Sequence, residues 1–156
     1  MHVGVDADTG RVVAATLTDH DADDASQVGP LLDQVEGSVA AFTADAAFDQ
    51  DSVYADVAAR PSEVDVIVPP RSTAVPSPTA ETATSSIAEK GRMGWQKTTG
   101  YNARARAEAA VSRYTRVIGD GLRSRTDQCR AVEVTVGVHA LNRMLEFGPP
   151  KYVRIA

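Results

Sequence analysis

Two carboxylates lie on segments whose predicted structures suit phosphodiester chemistry. Asp45 follows the apolar run 38–44, which is typical of a short buried strand, and Glu108 lies in the long segment 100–116, which has helical periodicity. Hard cations such as Mg²⁺ take carboxylate oxygens as ligands. Two such ions can activate an attacking hydroxyl and stabilise the leaving oxygen of a phosphodiester. Asp45 and Glu108 are therefore candidate metal ligands if the fold brings them together.

Polar residues share one narrow arc of the predicted helix with Glu108. At about 100° per residue, these are Tyr101, Arg104, Ser112 and Thr115. Arg104 lies one turn before Glu108 and could hold a phosphate with two parallel hydrogen bonds. A simpler interpretation is a solvated face with an i, i+4 ion pair between Arg104 and Glu108.

The other side of this helix is apolar and is predicted to face the core. Its residues are Ala107, Ala110, Val111, Tyr114, Val117 and Ile118. Asp45 also has an ordinary alternative, since an aspartate at a strand end often caps the following turn. The pattern alone leaves these alternatives open.

Charge is distributed unevenly along the chain. Residues 1–65 contain fourteen acidic residues against Arg11 and Arg60, whereas residues 90–130 contain ten basic residues against three acidic ones. A segment this basic predicts a surface for phosphate groups. The alternative is a basic helix pair that only neutralises the acidic half.

Composition places the chain among single-domain proteins without disulfides. Its 156 residues suffice for one core, and with 43% hydrophobic but only 5% aromatic residues that core must be aliphatic. Cys129 is the only cysteine, which excludes a disulfide framework and a cysteine-rich zinc site and favours a reducing cytoplasm. No apolar run has membrane-spanning length and no signal pattern opens the chain.

The order of elements predicts an α/β protein with a mixed sheet flanked by helices. The first half is expected to form a hairpin over 2–18, a helix capped by Asp21 or Asp23 that runs to about Val35, a strand over 38–44, a helix over 51–59 opened by Asp49 and a strand over 64–68. The second half is expected to form a flexible loop over 70–88, the helix over 100–116, a basic connector over 122–130 and a helix over 131–145. Ligands gather at the carboxyl ends of strands in such sheets, where Asp45 lies. Trp95 is predicted to fill the core rather than to stack on a base.

Several stretches together resemble transposases of insertion sequences of the Asp-Asp-Glu type. The family's hairpin and first helix resemble the stretch HVGVDADTGRVVAATLTDHDADDASQVGPLLDQV. The strand with its second catalytic aspartate resembles FTADAAFD, and the next strand resembles VDVIVPPR. The family's segment with the catalytic glutamate resembles IAEKGRMGWQKTTGYNARARAEAAVSRYTRVIG. Tyr101, Arg104 and Glu108 match the family spacing of Tyr, Arg and Glu, whereas Thr115 stands at the family's lysine position.

The resemblance implies a ribonuclease H-like fold and a role in DNA transposition. It assigns catalysis and Mg²⁺ or Mn²⁺ binding to Asp45 and Glu108, and it implies DNA contacts by Lys97, Tyr101, Arg104, Arg113 and Arg116. The family's first aspartate lies on a strand before the hairpin. We therefore expect residues 1–156 to be one truncated catalytic domain that lacks this strand and is inactive alone.

Other functions stay open. The chain could be a DNA-binding fragment or transposition inhibitor, with an intact transposase or a second copy as its partner. Asp6 and Asp8 could belong to a phosphatase of the haloacid dehalogenase type, but Thr9 falls one place early for that motif and a hairpin turn explains both aspartates better. A poorly folded product with an exposed sheet edge is the remaining alternative.

Overall fold

Helices and two small sheets build the protein. The computed structural model describes residues 1–61, 63–71 and 78–148, except the side chains of 78–82. The elements are β1 (His2–Val5), β2 (Val12–Thr16), α1 (Val28–Leu32), β3 (Ala41–Thr43), α2 (Asp51–Ala58), β4 (Asp65–Ile67), α3 (Pro78–Thr99), α4 (Ala105–Val117) and α5 (Asp127–Phe147). Single 3₁₀ turns occupy Ala25–Gln27, Ala46–Phe48 and Tyr101–Arg104. The α/β class is therefore confirmed.

The predicted hairpin is present at the start of the chain. β1 pairs antiparallel with β2, with an irregularity between Gly4 and Val5. In the turn, Asp6 Oδ1 accepts hydrogen bonds from the N–H groups of Asp8 and Thr9, each at 2.8 Å. These bonds, the one from Thr9 above all, lower the pKa of the Asp6 carboxyl. Asp6 thus has the turn-forming role that its sequence predicts.

β3 and β4 form a second, parallel sheet, in which Ala41 lies opposite Asp65 and Thr43 lies opposite Ile67. Among the described strands no pairing joins this sheet to the hairpin. The single mixed sheet expected from the sequence is therefore not seen in the described part of the chain. Both strands are also shorter than predicted, with three residues each.

The first helix differs from its prediction. It begins with the 3₁₀ turn Ala25–Gln27 and continues as α1 only to Leu32. Neither Asp21 nor Asp23 caps it, and Asp24 precedes the turn without a side-chain capping bond. Its five residues include Gly29 and Pro30, which lower the helix propensity of the segment.

The predicted loop over 70–88 is helical in its second half. α3 begins at Pro78, with a break at Gly91, where φ is 70° and ψ is 161°. Residues 72–77 and 149–156 lie outside the described residues, as does Ser62. Residues 79–88 are mostly alanine, threonine and serine and have no amphipathic pattern, so the sequence did not predict this helix.

Two aliphatic clusters form the core. One joins the hairpin to α4 and α5 through Val12, Ala110, Tyr114, Val134, Val138 and Leu141. The other joins α1 and α2 to the second sheet through Ala25, Val28, Leu32, Val53 and Val57. The first cluster holds α4, and with it Glu108, against the hairpin.

α5 resolves the ambiguity of the segment 131–145 in favour of a helix. The helix begins at Asp127, and Thr126 caps it because its Oγ1 accepts a hydrogen bond from the Cys129 N–H. It therefore includes residues 127–130, which were predicted to belong to the connector. Its buried Asn142 accepts from the Val12 N–H at 2.9 Å and donates to the Val12 carbonyl at 2.8 Å. Asn142 thereby satisfies the hydrogen bonding of both backbone polar groups of Val12, the first residue of β2. No described helix is long and apolar enough to span a membrane.

Candidate active site

Asp45 lies just beyond the carboxyl end of β3. Ala44 extends the pairing through a bond from its N–H to the Ile67 carbonyl at 3.3 Å. Asp45 then caps the 3₁₀ turn Ala46–Phe48, because its Oδ1 accepts the Ala47 N–H at 2.8 Å. The capping bond fixes the orientation of the carboxylate and leaves Oδ2 available.

Arg71 ties the turn after Asp45 to the end of β4. Its Nε donates to the Ala46 carbonyl at 2.8 Å, and its Nη2 donates to the Ala47 carbonyl. Its backbone N–H donates to Asp49 Oδ2 at 2.8 Å. The sequence placed Arg71 in a flexible loop and so missed this role. The available signal was an arginine directly after the strand-ending Pro69–Pro70 pair.

Asp49 anchors the same turn and does not open α2. Gln50 is the residue that precedes this helix. Asp49 Oδ1 accepts the Tyr54 hydroxyl at 2.7 Å. Burial, together with this bond to a carboxylate, raises the pKa of Tyr54. The prediction that Asp49 opens this helix is therefore wrong, and Asp49 instead holds the turn that follows Asp45.

Glu108 lies in the first turn of α4, behind a sharp turn at Gly100. Gly100 has φ 74°, the left-handed region that glycine adopts without strain. The 3₁₀ turn Tyr101–Arg104 follows and leads directly into α4. Arg104 Nη2 lies 2.8 Å from Glu108 Oε1, which is the i, i+4 ion pair that the spacing predicts.

Arg104 also reaches Asp45. Its Nη1 lies 3.6 Å from Asp45 Oδ2, so one guanidinium contacts both candidate carboxylates. The side chains of Arg104, Asp45 and Glu108 are 33%, 48% and 61% exposed, and the group is thus accessible from solvent. The structure brings the two carboxylates that the sequence singled out to one place.

The ring of Tyr101 also contacts Arg104. The Arg104 guanidinium carbon lies 5.6 Å from the centre of the Tyr101 ring, within the range of a cation–π contact. The Tyr101 ring in turn packs on Trp95 with centres 5.2 Å apart. Trp95 is only 3% exposed, so the prediction that it fills the core is confirmed.

The remaining predicted DNA-contacting residues lie apart from this group. Arg113 is half-buried and donates from Nη2 to the Gly10 carbonyl at 2.9 Å, which ties α4 to the hairpin turn. Arg106 contacts the same turn through the Asp8 carbonyl. Arg116 is exposed and lies 3.4 Å from Ser112 Oγ, and Lys97 is exposed on α3.

Two residues of the predicted apolar face of α4 are exposed. Val111 and Val117 are 43% and 48% exposed, whereas Ala110 and Tyr114 are buried. The helix therefore packs through a narrower stripe than its sequence predicts.

Asp45 and Glu108 supply the hard oxygen donors that Mg²⁺ prefers, but they do not complete a metal site. Within the described residues, no three or more His, Cys, Asp or Glu side chains are grouped closely enough to hold a metal ion. A cationic guanidinium also lies against both carboxylates. The described residues thus do not fit a closed divalent site.

The site thus consists of two carboxylates and one arginine on an α/β scaffold. A family model described as the transposase DDE domain matches residues 1–145. The chain belongs to this family, whose members act in DNA transposition and recombination of insertion sequences and use divalent metal ions. No solved structure matches the chain significantly.

Proposed function

We propose that Asp45 and Glu108 are two of the catalytic carboxylates of a DDE transposase domain. The observation that carries the proposal is their shared contact with Arg104, although one follows a strand and the other lies in a helix. Family membership supports a role in DNA transposition, and we infer that the chemistry is the cutting and joining of DNA phosphodiesters.

In this proposal a third carboxylate from outside the described residues completes the site for Mg²⁺ or Mn²⁺. Asp45 and Glu108 would be two of its ligands, and the metal would supply Lewis acidity toward a DNA phosphate. The antiparallel hairpin and the parallel pair β3–β4 are not paired with each other among the described strands, and a further strand between them would complete one mixed sheet of the ribonuclease H-like type. Because the described residues bring only two carboxylates together, we expect this chain to cut no DNA by itself.

DNA is the proposed partner, in the cytoplasm, together with an intact transposase or a second copy of this chain. Lys97 and Arg116 are exposed and free to contact phosphates. Tyr101 and Arg104 lie beside the carboxylates, where they would hold the reacting phosphate. Arg113 would act mainly by holding α4 on the hairpin, since its Nη2 is engaged there.

A cleavage assay tests this proposal. Purified protein is incubated with element-end DNA and Mg²⁺ or Mn²⁺, and nicked or joined products are measured. The expected result is no product from this chain alone. Strong cleavage that Asp45→Asn and Glu108→Gln both abolish would confirm the two residues and overturn the inactivity. Cleavage that both variants retain would overturn their assignment.

The second candidate function is that of a DNA-binding fragment or inhibitor, favoured by exposed basic side chains. Lys90, Arg92, Lys97, Arg123 and Arg125 are exposed, and no carboxylate of the described side chains forms an ion pair with them. If about four of them contact phosphates, log K should fall with log salt with a slope of about −3.6. A salt-independent affinity, or none, would remove this candidate.

A further inference from the structure

We propose that the Arg104 guanidinium takes the place of a cation between Asp45 and Glu108 and keeps divalent ions off this pair. The inference rests on the proposed function in treating the two carboxylates as one pair, and it concerns this chain without the third carboxylate that would complete the metal site. The observation behind it is that one guanidinium contacts both carboxylates.

Arg104 uses a different nitrogen for each carboxylate. Nη1 faces Asp45 Oδ2 at 3.6 Å and Nη2 faces Glu108 Oε1 at 2.8 Å. Both ion-pair contacts therefore run from one planar group, and the positive charge lies between the two oxygens. A divalent ion that binds both oxygens must enter the same space.

Neighbouring groups keep the guanidinium in this position. Asp45 Oδ1 is occupied by the Ala47 N–H, so Oδ2 is the oxygen that remains for a counter-ion. Tyr101 covers the guanidinium and is itself supported by the buried Trp95. The arginine is thus held by packing as well as by charge.

Electrostatics decides between the arginine and a metal ion. The carboxylate pair carries two negative charges, of which the guanidinium neutralises one. A divalent ion would also meet the guanidinium at close range, where two unit charges about 4 Å apart repel by about 1 kcal/mol in water and more near a protein surface. Replacement of Arg104 by an uncharged side chain removes this repulsion and restores the full charge of the pair.

Mn²⁺ binding, measured by electron paramagnetic resonance of the free ion, tests the inference without DNA. We expect Arg104→Met to bind Mn²⁺ at least about tenfold more tightly than the natural chain, because the loss of a nearby positive charge changes the binding energy by more than about 1.4 kcal/mol. Arg104→Lys keeps the charge and should bind like the natural chain. Arg60→Met, which removes the arginine paired with Asp33 at 2.8 Å, is the matched control.

Further variants locate the gained ion. Adding Glu108→Gln or Asp45→Asn to Arg104→Met should abolish the gain, and circular dichroism melting should show that each variant is folded. If Arg104→Met does not fold, Arg104→Gln takes its place.

The inference is overturned if folded Arg104→Met or Arg104→Gln binds no more tightly than the natural chain. It is equally overturned if the gain survives the loss of either carboxylate, or if the natural chain already binds Mn²⁺ through both. Failure of DNA cleavage or DNA binding would instead bear on the proposed function, since no DNA enters this titration.

Discussion

Arg104 Nη1 lies 3.6 Å from Asp45 Oδ2, and this contact joins the turn after β3 to the start of α4. The ion pair within the helix, between Arg104 and Glu108, follows from residue spacing alone. The contact with Asp45 depends on how the chain folds. It unites the two carboxylates that we propose as catalytic residues.

Arg71 should control the order of the turn that carries Asp45. Arg71→Met removes the bonds from its side chain to the Ala46 and Ala47 carbonyls. Because such bonds contribute on the order of 1 kcal/mol, local opening should become about fivefold more frequent. Amide hydrogen exchange of the Ala47 N–H, which donates to Asp45, measures this opening.

Arg60→Met is the control for this change, since Arg60 contacts Gly29 and Asp33 instead. Exchange at Ala47 should be unaffected in that variant. Equal exchange rates in Arg71→Met and the natural chain would show that Arg71 does not support the turn.

Asn142 should be a main determinant of stability. It is 8% exposed and satisfies both backbone groups of Val12. Asn142→Ala leaves a buried N–H and a buried carbonyl without partners, which should lower the free energy of unfolding by about 2–4 kcal/mol. Urea denaturation measures the change, and Asn102→Ala on an exposed turn is the control. Losses of similar size in both variants would refute the specific role of Asn142.

Gly137 permits the close approach of α4 and α5. A Cβ at this position would lie 2.9 Å from Tyr114 Cε2 and 3.0 Å from the Tyr114 hydroxyl. Alanine favours a helix by about 1 kcal/mol over glycine, but overpacking in a tight core costs about 1–3 kcal/mol. Since Tyr114 is 7% exposed and cannot easily move, Gly137→Ala should destabilise the protein by about 1 kcal/mol net.

Thermal denaturation with two comparison variants tests this prediction. Gly121→Ala meets no atom within 4 Å and should leave the melting temperature nearly unchanged. Tyr114→Phe removes a buried hydroxyl that has no partner among the described residues and should recover part of the loss in Gly137→Ala. A melting temperature raised by Gly137→Ala alone would contradict the packing argument.

Glu133 should make stability depend on acid pH. Its carboxylate accepts the Arg123 N–H at 2.9 Å and the Ser124 N–H at 2.8 Å, and these backbone bonds lower the pKa of Glu133. A lowered pKa in the folded state stabilises the protein above the ordinary glutamate value of about 4.3. This contribution is lost as pH falls through the lowered pKa.

The difference in melting temperature between the natural chain and Glu133→Gln should therefore shrink as the pH is lowered below about 4.3. Glu36→Gln, at an exposed position, controls for the loss of one surface charge. A difference that stays constant with pH would rule out the linkage.

Local sequence signals predicted the elements with strong periodicity or clear turn chemistry. The hairpin turn at Asp6, the helix with Glu108 and the helical choice for α5 all follow from such signals. α3 was missed because its first residues have no amphipathic pattern, and α1 is shorter than predicted, with Gly29 and Pro30 among its five residues. For Asp45, the turn-capping role and the proximity to Glu108 were posed as alternatives, and the structure shows both.

Contacts between distant segments could not be predicted in this way. Arg71 beside Asp45, Asn142 beside Val12 and Trp95 behind Tyr101 depend on tertiary packing, which no local pattern encodes. The exposure of Val111 and Val117 has the same origin, since the width of the buried stripe depends on what packs against the helix.

The shared contact of Asp45 and Glu108 with Arg104 is tested most directly by NMR of arginine side chains. Asp45→Asn and Glu108→Gln should each shift the guanidinium resonances of Arg104 and leave those of Arg60 in place, because each variant removes one of its two carboxylate partners. If only Glu108→Gln shifts Arg104, the two carboxylates do not meet at this arginine, and the account of the site is wrong.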